Sequence, residues 1–70
     1  KTVCLTGEVG LSGEIRPVTR IEQRIIEANK LGFSTIYVPK HNLKGVDVSQ
    51  YNVEVKEVAR VEEVFRSLFG

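Results

Sequence analysis

The strongest constraint on the fold is that this chain of 70 residues contains a single cysteine, Cys4, and a single histidine, His41. One cysteine excludes an internal disulfide framework, and the two residues together are too few for a standard zinc quartet. With 41% hydrophobic and 27% charged residues, the composition is typical of a soluble globular chain. No apolar run approaches the roughly 18 residues of a membrane span. We therefore expect no membrane contact and a reducing, cytoplasmic location.

The length of 70 residues allows one domain at most. A chain of about 60 residues buries only roughly 60% of its unfolded surface, so the core of such a domain is small. Methionine is absent, and the sequence leads from Lys1 directly into residues that alternate like a strand. We interpret residues 1–70 as a single partial domain of a longer protein.

The first eighteen residues predict a β-hairpin. Odd positions from Val3 to Ile15 are apolar or glycine, a period of two that is typical of a strand pair with one buried face. The reversal is expected at Leu11-Ser12-Gly13, and Pro17 marks the exit. Three glycines are assigned a structural role in the bends, namely Gly7, Gly10 and Gly13.

A helix is predicted after this hairpin. Thr19 and Glu22 have the spacing of a capping box, so the Thr19 hydroxyl is expected to cap the first turn, and Thr19→Ala is expected to cost about 1 kcal/mol. The apolar stripe of the helix is Ile21, Ile25 and Ala28. Gly32 fits the left-handed position that follows a helix.

The remaining sequence predicts two strands and a second helix. Thr35–Val38 is rich in β-branched and aromatic residues, and a last strand is expected from Val53 to Val58. Residues 40–51 form a connection with one helical turn. The second helix has an apolar stripe, listed as Val61, Val64, Phe65 and Leu68. The predicted class is α/β (α+β), in the order ββ-α-β-β-α.

The sequence offers little for catalysis. Residues 7–13 are rich in glycine but lack the G-K-[ST] ending of a phosphate-binding loop. Cys4 falls in a predicted strand and fits a core position, and nothing in the sequence suggests a partner for His41. We therefore predict that the chain alone neither binds ATP nor cleaves peptides, and that it holds no metal.

A basic middle segment is the candidate binding surface. Residues 16–44 carry six basic residues against two glutamates, a net charge of +4. Arginine matches the geometry of phosphate, so a surface that follows a DNA backbone is one reading. The alternative is an ordinary solvated surface on which these arginines pair with Glu22 or Glu27. The candidate DNA-binding residues are Arg16, Arg20, Arg24, Lys40 and Lys44.

Four blocks of the sequence closely resemble the C-terminal region of the RadA (Sms) family of bacterial DNA repair proteins: Gly7–Val18, Arg20–Ile25, Glu27–Ala28 and Lys30–Phe33. In that family this region belongs to a domain related to the proteolytic domain of Lon protease. The resemblance implies a truncated fold of the ribosomal protein S5 domain 2-like type, of which this chain would be the later half.

The same resemblance implies that this part of the family is not an enzyme. Active Lon-type proteases carry Gly-Gly-Leu-Lys-Glu-Lys where this chain has residues 19–24, and Glu22 stands at the position of the lysine that activates the serine. The serine segment would precede Lys1. A fragment of a Ser/Lys peptidase is therefore a remote alternative.

For the parent protein, the resemblance implies a DNA-dependent ATPase that promotes branch migration in recombination and DNA repair. Its ATP, magnesium and zinc sites would precede Lys1, and its partners would be single-stranded or branched DNA and the other subunits of a hexameric ring. The present region would contact DNA and organise that ring. A scaffold that serves only oligomerisation, without DNA contacts, is the alternative.

Overall fold

The computed structural model describes residues 2–70, so Lys1 of the predicted domain lies outside the described residues. The strands and helices are β1 (Val3–Leu5), β2 (Glu8–Val9), β3 (Ile15–Arg16), α1 (Ile21–Leu31), β4 (Thr35–Pro39), β5 (Glu54–Val58) and α2 (Val61–Phe69). A single 3₁₀ turn, Val48–Gln50, interrupts the connection between β4 and β5. Across residues 2–70, no helix has the length and apolar character needed to cross a membrane.

The strands form two sheets. β1, β4 and β5 make a parallel sheet in the order β1-β4-β5, while β2 and β3 make a separate antiparallel ribbon. The α+β class is as predicted, but the order is not, because three strands precede α1. Val3–Leu5 does not belong to the hairpin: Val3 pairs with Thr35 in a parallel register. The alternating pattern continues through both β1 and the ribbon, and it therefore hid the break between them.

The central strand β4 separates two apolar clusters. All five of its residues are buried. Ile36 and Val38 pack with the apolar stripe of α1, whereas Tyr37 packs with Val64 of α2. Successive side chains of a strand point to opposite faces, so α1 and α2 lie on opposite faces of the sheet.

The beginning of α1 differs from the prediction. Arg20, not Thr19, precedes the first helical residue, and no side chain caps the helix. Arg20 has φ 58° and ψ 43°, which places a non-glycine residue in the left-handed region. This residue separates Thr19 from the first turn, so the Thr19 hydroxyl does not reach the capping position. The predicted capping role of Thr19 is wrong.

The end of α1 is a glycine turn. Gly32 has φ 84°, and its N–H donates to the Asn29 carbonyl at 3.2 Å. The Phe33 N–H donates to the Ala28 carbonyl at 3.1 Å, and the Phe33 side chain packs on the cluster that contains Ala28. This pattern closes the last helical carbonyls in the manner of a Schellman motif.

The beginning of α2 is capped from within the helix. One carboxylate oxygen of Glu63 accepts the backbone N–H of Ala59 at 2.6 Å and that of Arg60 at 2.8 Å. These hydrogen bonds favour the ionised carboxylate, and they hold the pKa of Glu63 below its usual value of 4.5.

The tip of the β2–β3 ribbon is fastened to the same junction. The Ile15 N–H donates to the Ala59 carbonyl, and the Val61 N–H donates to the Gly13 carbonyl, both at 2.8 Å. The Arg60 guanidinium donates to the Ser12 carbonyl. The ribbon therefore packs against the start of α2, with Ile15 in the α2 cluster.

The left-handed backbone at Arg20 predicts the effect of two substitutions. Arg20→Gly should raise the free energy of unfolding by about 1 kcal/mol, because glycine adopts this conformation without the clash of a Cβ. Thr19→Ala is the matched control and should leave it unchanged, since no cap is lost. Urea denaturation measures the free energy of unfolding of both variants. A loss of stability in Arg20→Gly would contradict a left-handed backbone at this residue.

The Glu63 cap predicts a pH-dependent contribution to stability. The pKa of Glu63 is lowered in the folded state, so its contribution is fully present above about pH 4.5 and is lost as the pH falls through the folded value. The Glu63→Gln variant keeps a side chain of the same shape at this position, but that side chain cannot ionise. Its deficit in unfolding free energy should be constant at neutral pH and shrink in acid. A deficit that does not change between neutral and acidic pH would contradict the role of the charge.

Candidate nucleic-acid interface

The five candidate DNA-binding residues lie on three segments and are all exposed. Arg16 ends β3, and Arg20 and Arg24 lie one helical turn apart, with the Arg24 N–H directed at the Arg20 carbonyl. Lys40 and Lys44 belong to the loop that follows β4.

The side chain of Asn42 joins two of these segments. Its Oδ1 accepts the Val18 N–H at 2.8 Å, and its Nδ2 donates to the Val18 carbonyl at 3.2 Å. The loop that contains Lys40 and Lys44 therefore lies against the segment between Arg16 and Arg20. We call this pair of hydrogen bonds the Asn42 clasp.

Four of the candidates have no carboxylate at ion-pair distance among residues 2–70, although the charge of Lys40 adds to the backbone hydrogen bonds that lower the pKa of Glu63. Among residues 2–70, the ion pairs within 4.0 Å involve Arg16, Arg60 and Arg66 only. The pairing of Arg20 or Arg24 with Glu22 or Glu27, which was the alternative prediction, does not occur in this part of the chain. The cationic groups of Arg20, Arg24, Lys40 and Lys44 are thus available to an anionic partner.

Arg16 differs from the other four because Glu14 holds it. Its guanidinium lies 2.9 Å from the Glu14 carboxylate, and the hydrogen bond holds the pKa of Glu14 below its usual value. Its side chain is still 59% exposed. Exposed pairs of this kind contribute little to stability because water screens them, so a phosphate could displace the carboxylate.

Glu22, which stands at the lysine position of the Lon motif, carries a carboxylate with a defined partner. Its Oε2 accepts the hydroxyl hydrogen of Tyr51 at 3.2 Å. Partial burial raises the pKa of Tyr51, and the hydrogen bond to Glu22 raises it further. Glu22 is therefore an acceptor that links α1 to the segment before β5, not part of a capping box.

Cys4 lies on β1, whereas His41 lies in the loop that follows β4. Cys4 is half-buried on β1, and burial raises the pKa of its thiol, which disfavours the nucleophilic thiolate. His41 is exposed with φ 66°. Within the described residues 2–70, no group of three or more His, Cys, Asp or Glu side chains is placed to hold a metal ion.

The glycines predicted as structural lie at several kinds of site. Gly7 follows β1, and a Cβ there would press against Ile15 and Pro39. Gly13 has φ 82° at the tip of the ribbon, where Gly10 accepts the Gly13 N–H at 3.0 Å.

Two features of the site were missed from the sequence. The Asn42 clasp joins residues far apart in the chain, and nothing local marks it. The left-handed Arg20 did have a signal, because the Lon motif has glycine at that position.

The family model described as the Lon protease (S16) C-terminal proteolytic domain matches residues 1–70. The DNA repair protein RadA of Streptococcus pyogenes serotype M3 is 57% identical over 64 residues, which is 91% of this chain and 14% of that protein.

Two further RadA proteins are similar over 67 residues, or 96% of this chain. That of Streptococcus pneumoniae is 52% identical with 16% of its length covered, and that of Bacillus subtilis is 49% identical with 14% covered. The chain thus resembles the C-terminal, Lon-like part of RadA, and it spans about one seventh of the length of these curated relatives.

The contact between Tyr51 and Glu22 predicts a measurable titration. Glu22→Gln should lower the pKa of the Tyr51 hydroxyl towards its usual value of 10.0, because the neighbouring negative charge disappears. Glu27→Gln removes a carboxylate from the same helix and is the matched control. Tyrosine ring chemical shifts followed against pH report the titration. An equal shift in both variants would contradict a specific contact.

Proposed function

The chain belongs to the family of the Lon protease (S16) C-terminal proteolytic domain, and on that premise we propose that it is the DNA-contacting, non-proteolytic Lon-like module of a RadA-type DNA repair protein. The fold would be the later half of a ribosomal protein S5 domain 2-like domain. A parallel sheet with one helix on each face supports this proposal.

Glu22 supports a module without proteolytic activity. The lysine of a Lon-type dyad must accept a proton from the serine as a neutral amine. Glu22 is a carboxylate in that position, and its oxygen is engaged by the Tyr51 hydroxyl at 3.2 Å. With the capping role excluded, this hydrogen bond explains the residue structurally.

One observation supports a contact with DNA. Four exposed basic side chains have no carboxylate within 4.0 Å among residues 2–70. The segments that carry them are joined by the Asn42 clasp. Phosphate is the ligand that such guanidinium and ammonium groups bind in nucleic acids. Arg16 joins them by exchanging Glu14 for phosphate. Contacts to phosphate carry no information about the bases, so binding through these groups would be independent of sequence.

The rest of the activity would belong to the longer protein. We propose a DNA-dependent ATPase that acts on single-stranded or branched DNA in recombination and repair by branch migration. It would be a hexameric ring in the cytoplasm, with ATP, magnesium and zinc held outside these 70 residues.

A second candidate function is a scaffold that only joins subunits. It is favoured by the outer face of α2, where Phe65 is 58% exposed and Phe69 is 79% exposed. The two rings stack, and their centroids lie 6.2 Å apart. Exposed aromatic residues of this kind are enriched at protein interfaces.

Charge reversal in the full-length protein separates the two functions. The double variant Arg20→Glu, Arg24→Glu should weaken binding to single strands of every sequence alike. The slope of log affinity against log salt should fall by roughly 0.7 for each lost phosphate contact. The matched control, Lys30→Glu with Arg66→Glu, makes the same change in net charge elsewhere and should leave the slope unchanged.

The oligomeric state of the same variants completes the test. The subunits should remain assembled in the Arg20, Arg24 variant, as judged by light scattering. A variant that binds DNA with unchanged affinity and slope but dissociates into monomers would assign the two arginines to a subunit contact and favour the scaffold.

A further inference from the structure

The carboxylate of Glu14 is held in a fixed place beside one of the candidate DNA-binding residues. Its Oε2 accepts a hydrogen bond from the Arg16 guanidinium at 2.9 Å, and its Oε1 accepts the Ser12 N–H at 3.1 Å. The hydrogen bond from Arg16 is the main cause that lowers the pKa of Glu14, so the carboxylate is charged at neutral pH. The β2–β3 ribbon therefore presents an anion to Arg16.

Gly10 leaves the space that this carboxylate fills. A Cβ at position 10 would overlap the Glu14 carboxylate, whose atoms would be its three nearest neighbours. The Gly10 N–H also donates to the Glu14 carbonyl at 2.8 Å, which keeps the two residues opposite each other in the ribbon. The φ of Gly10 is not in the left-handed region, so its backbone conformation is open to other residues. The missing side chain therefore serves the placement of Glu14.

A carboxylate in this place competes with phosphate in two ways. Carboxylate and phosphate oxygens both match the donor fork of a guanidinium, and Glu14 already occupies Nη2 of Arg16. Its negative charge also repels an approaching phosphate. Ion pairing of this kind affects Arg16 alone, because the other four candidates have no carboxylate within 4.0 Å among residues 2–70.

We propose that Glu14 is a built-in competitor of phosphate, placed by Gly10 and Ser12 so that a contact of Arg16 with DNA requires loss of the ion pair. This inference rests on the proposed function, in which Arg16 contacts the DNA backbone. An arginine that must exchange partners holds a strand less tightly than a free arginine does. The competitor therefore lowers the affinity of this surface for DNA and favours release of the strand.

A double-mutant cycle in the full-length protein tests the competition. Binding to a single-stranded oligothymidylate should tighten about two- to fivefold in Glu14→Gln, the range expected when an exposed ion pair is removed. Glutamine keeps an oxygen that can accept the Ser12 N–H, so the unfolding midpoint should change little. In an Arg16→Gln background, Glu14→Gln should have no more effect than the matched control. That control is Glu27→Gln, because Glu27 has no cation within 4.0 Å in the described part of the chain.

Gly10→Ala tests the placement of the carboxylate without a change in net charge. The added Cβ should push the flexible end of the Glu14 side chain away from Ser12 and Arg16. Binding to the oligothymidylate should therefore tighten as in Glu14→Gln, although no charge has been removed. In the Arg16→Gln background, Gly10→Ala should leave the affinity unchanged.

Three results would overturn the proposal. The first is tightening in Glu14→Gln no greater than in Glu27→Gln, and the second is tightening that persists without Arg16. The third is a folded Gly10→Ala protein that binds DNA as the wild type does; if that variant does not fold, the cycle decides alone. Failure of the proposed function gives a different result, because reversal of Arg20 and Arg24 would then leave DNA binding unchanged.

Discussion

The fold depends on β4, which is hydrogen-bonded along both edges and packed on both faces. Its alternation assigns Ile36 and Val38 to α1 and Tyr37 to α2. The stripe of α1 is buried against one face of this strand, whereas only Val64 of the predicted α2 stripe is buried on the other face and Phe65 and Leu68 are exposed. The loop that contains Lys40 and Lys44 begins at the end of β4, because Lys40 follows Pro39 directly. The Lys40 N–H donates to the Val58 carbonyl of β5.

Local signals predicted the helices well and the partners of the strands poorly. The Gly32 turn, the stripe of α1 and the strand after it depend on neighbouring residues. The pairing of Val3 with Thr35 does not, since a period of two identifies a strand but not its partner. At Thr19, a strong capping signal was overridden by the left-handed backbone of Arg20, which places Thr19 one residue before the position that would cap the helix.

The candidate site was predictable as a set of charges but not as a surface. Basic residues in the middle of the chain are visible in the sequence, and all five candidates are exposed. Two facts about them needed coordinates: the Asn42 clasp, which brings the loop after β4 to Val18, and the ion pair that holds Arg16. The clasp joins residues 24 positions apart, which no sequence period pairs, and the period of two that places Glu14 and Arg16 on one side of a strand does not show that they form an ion pair.

The parallel register of the sheet has a consequence for the speed of folding. Val3 pairs with Thr35, and Thr35 pairs with Glu54, so each strand pair closes a long loop before it gains a hydrogen bond. The helices and the β2–β3 ribbon can form from local contacts, whereas the sheet cannot. Sheet assembly is therefore the slow, late step. During that interval the unpaired strands of the sheet are exposed to pairing with other molecules.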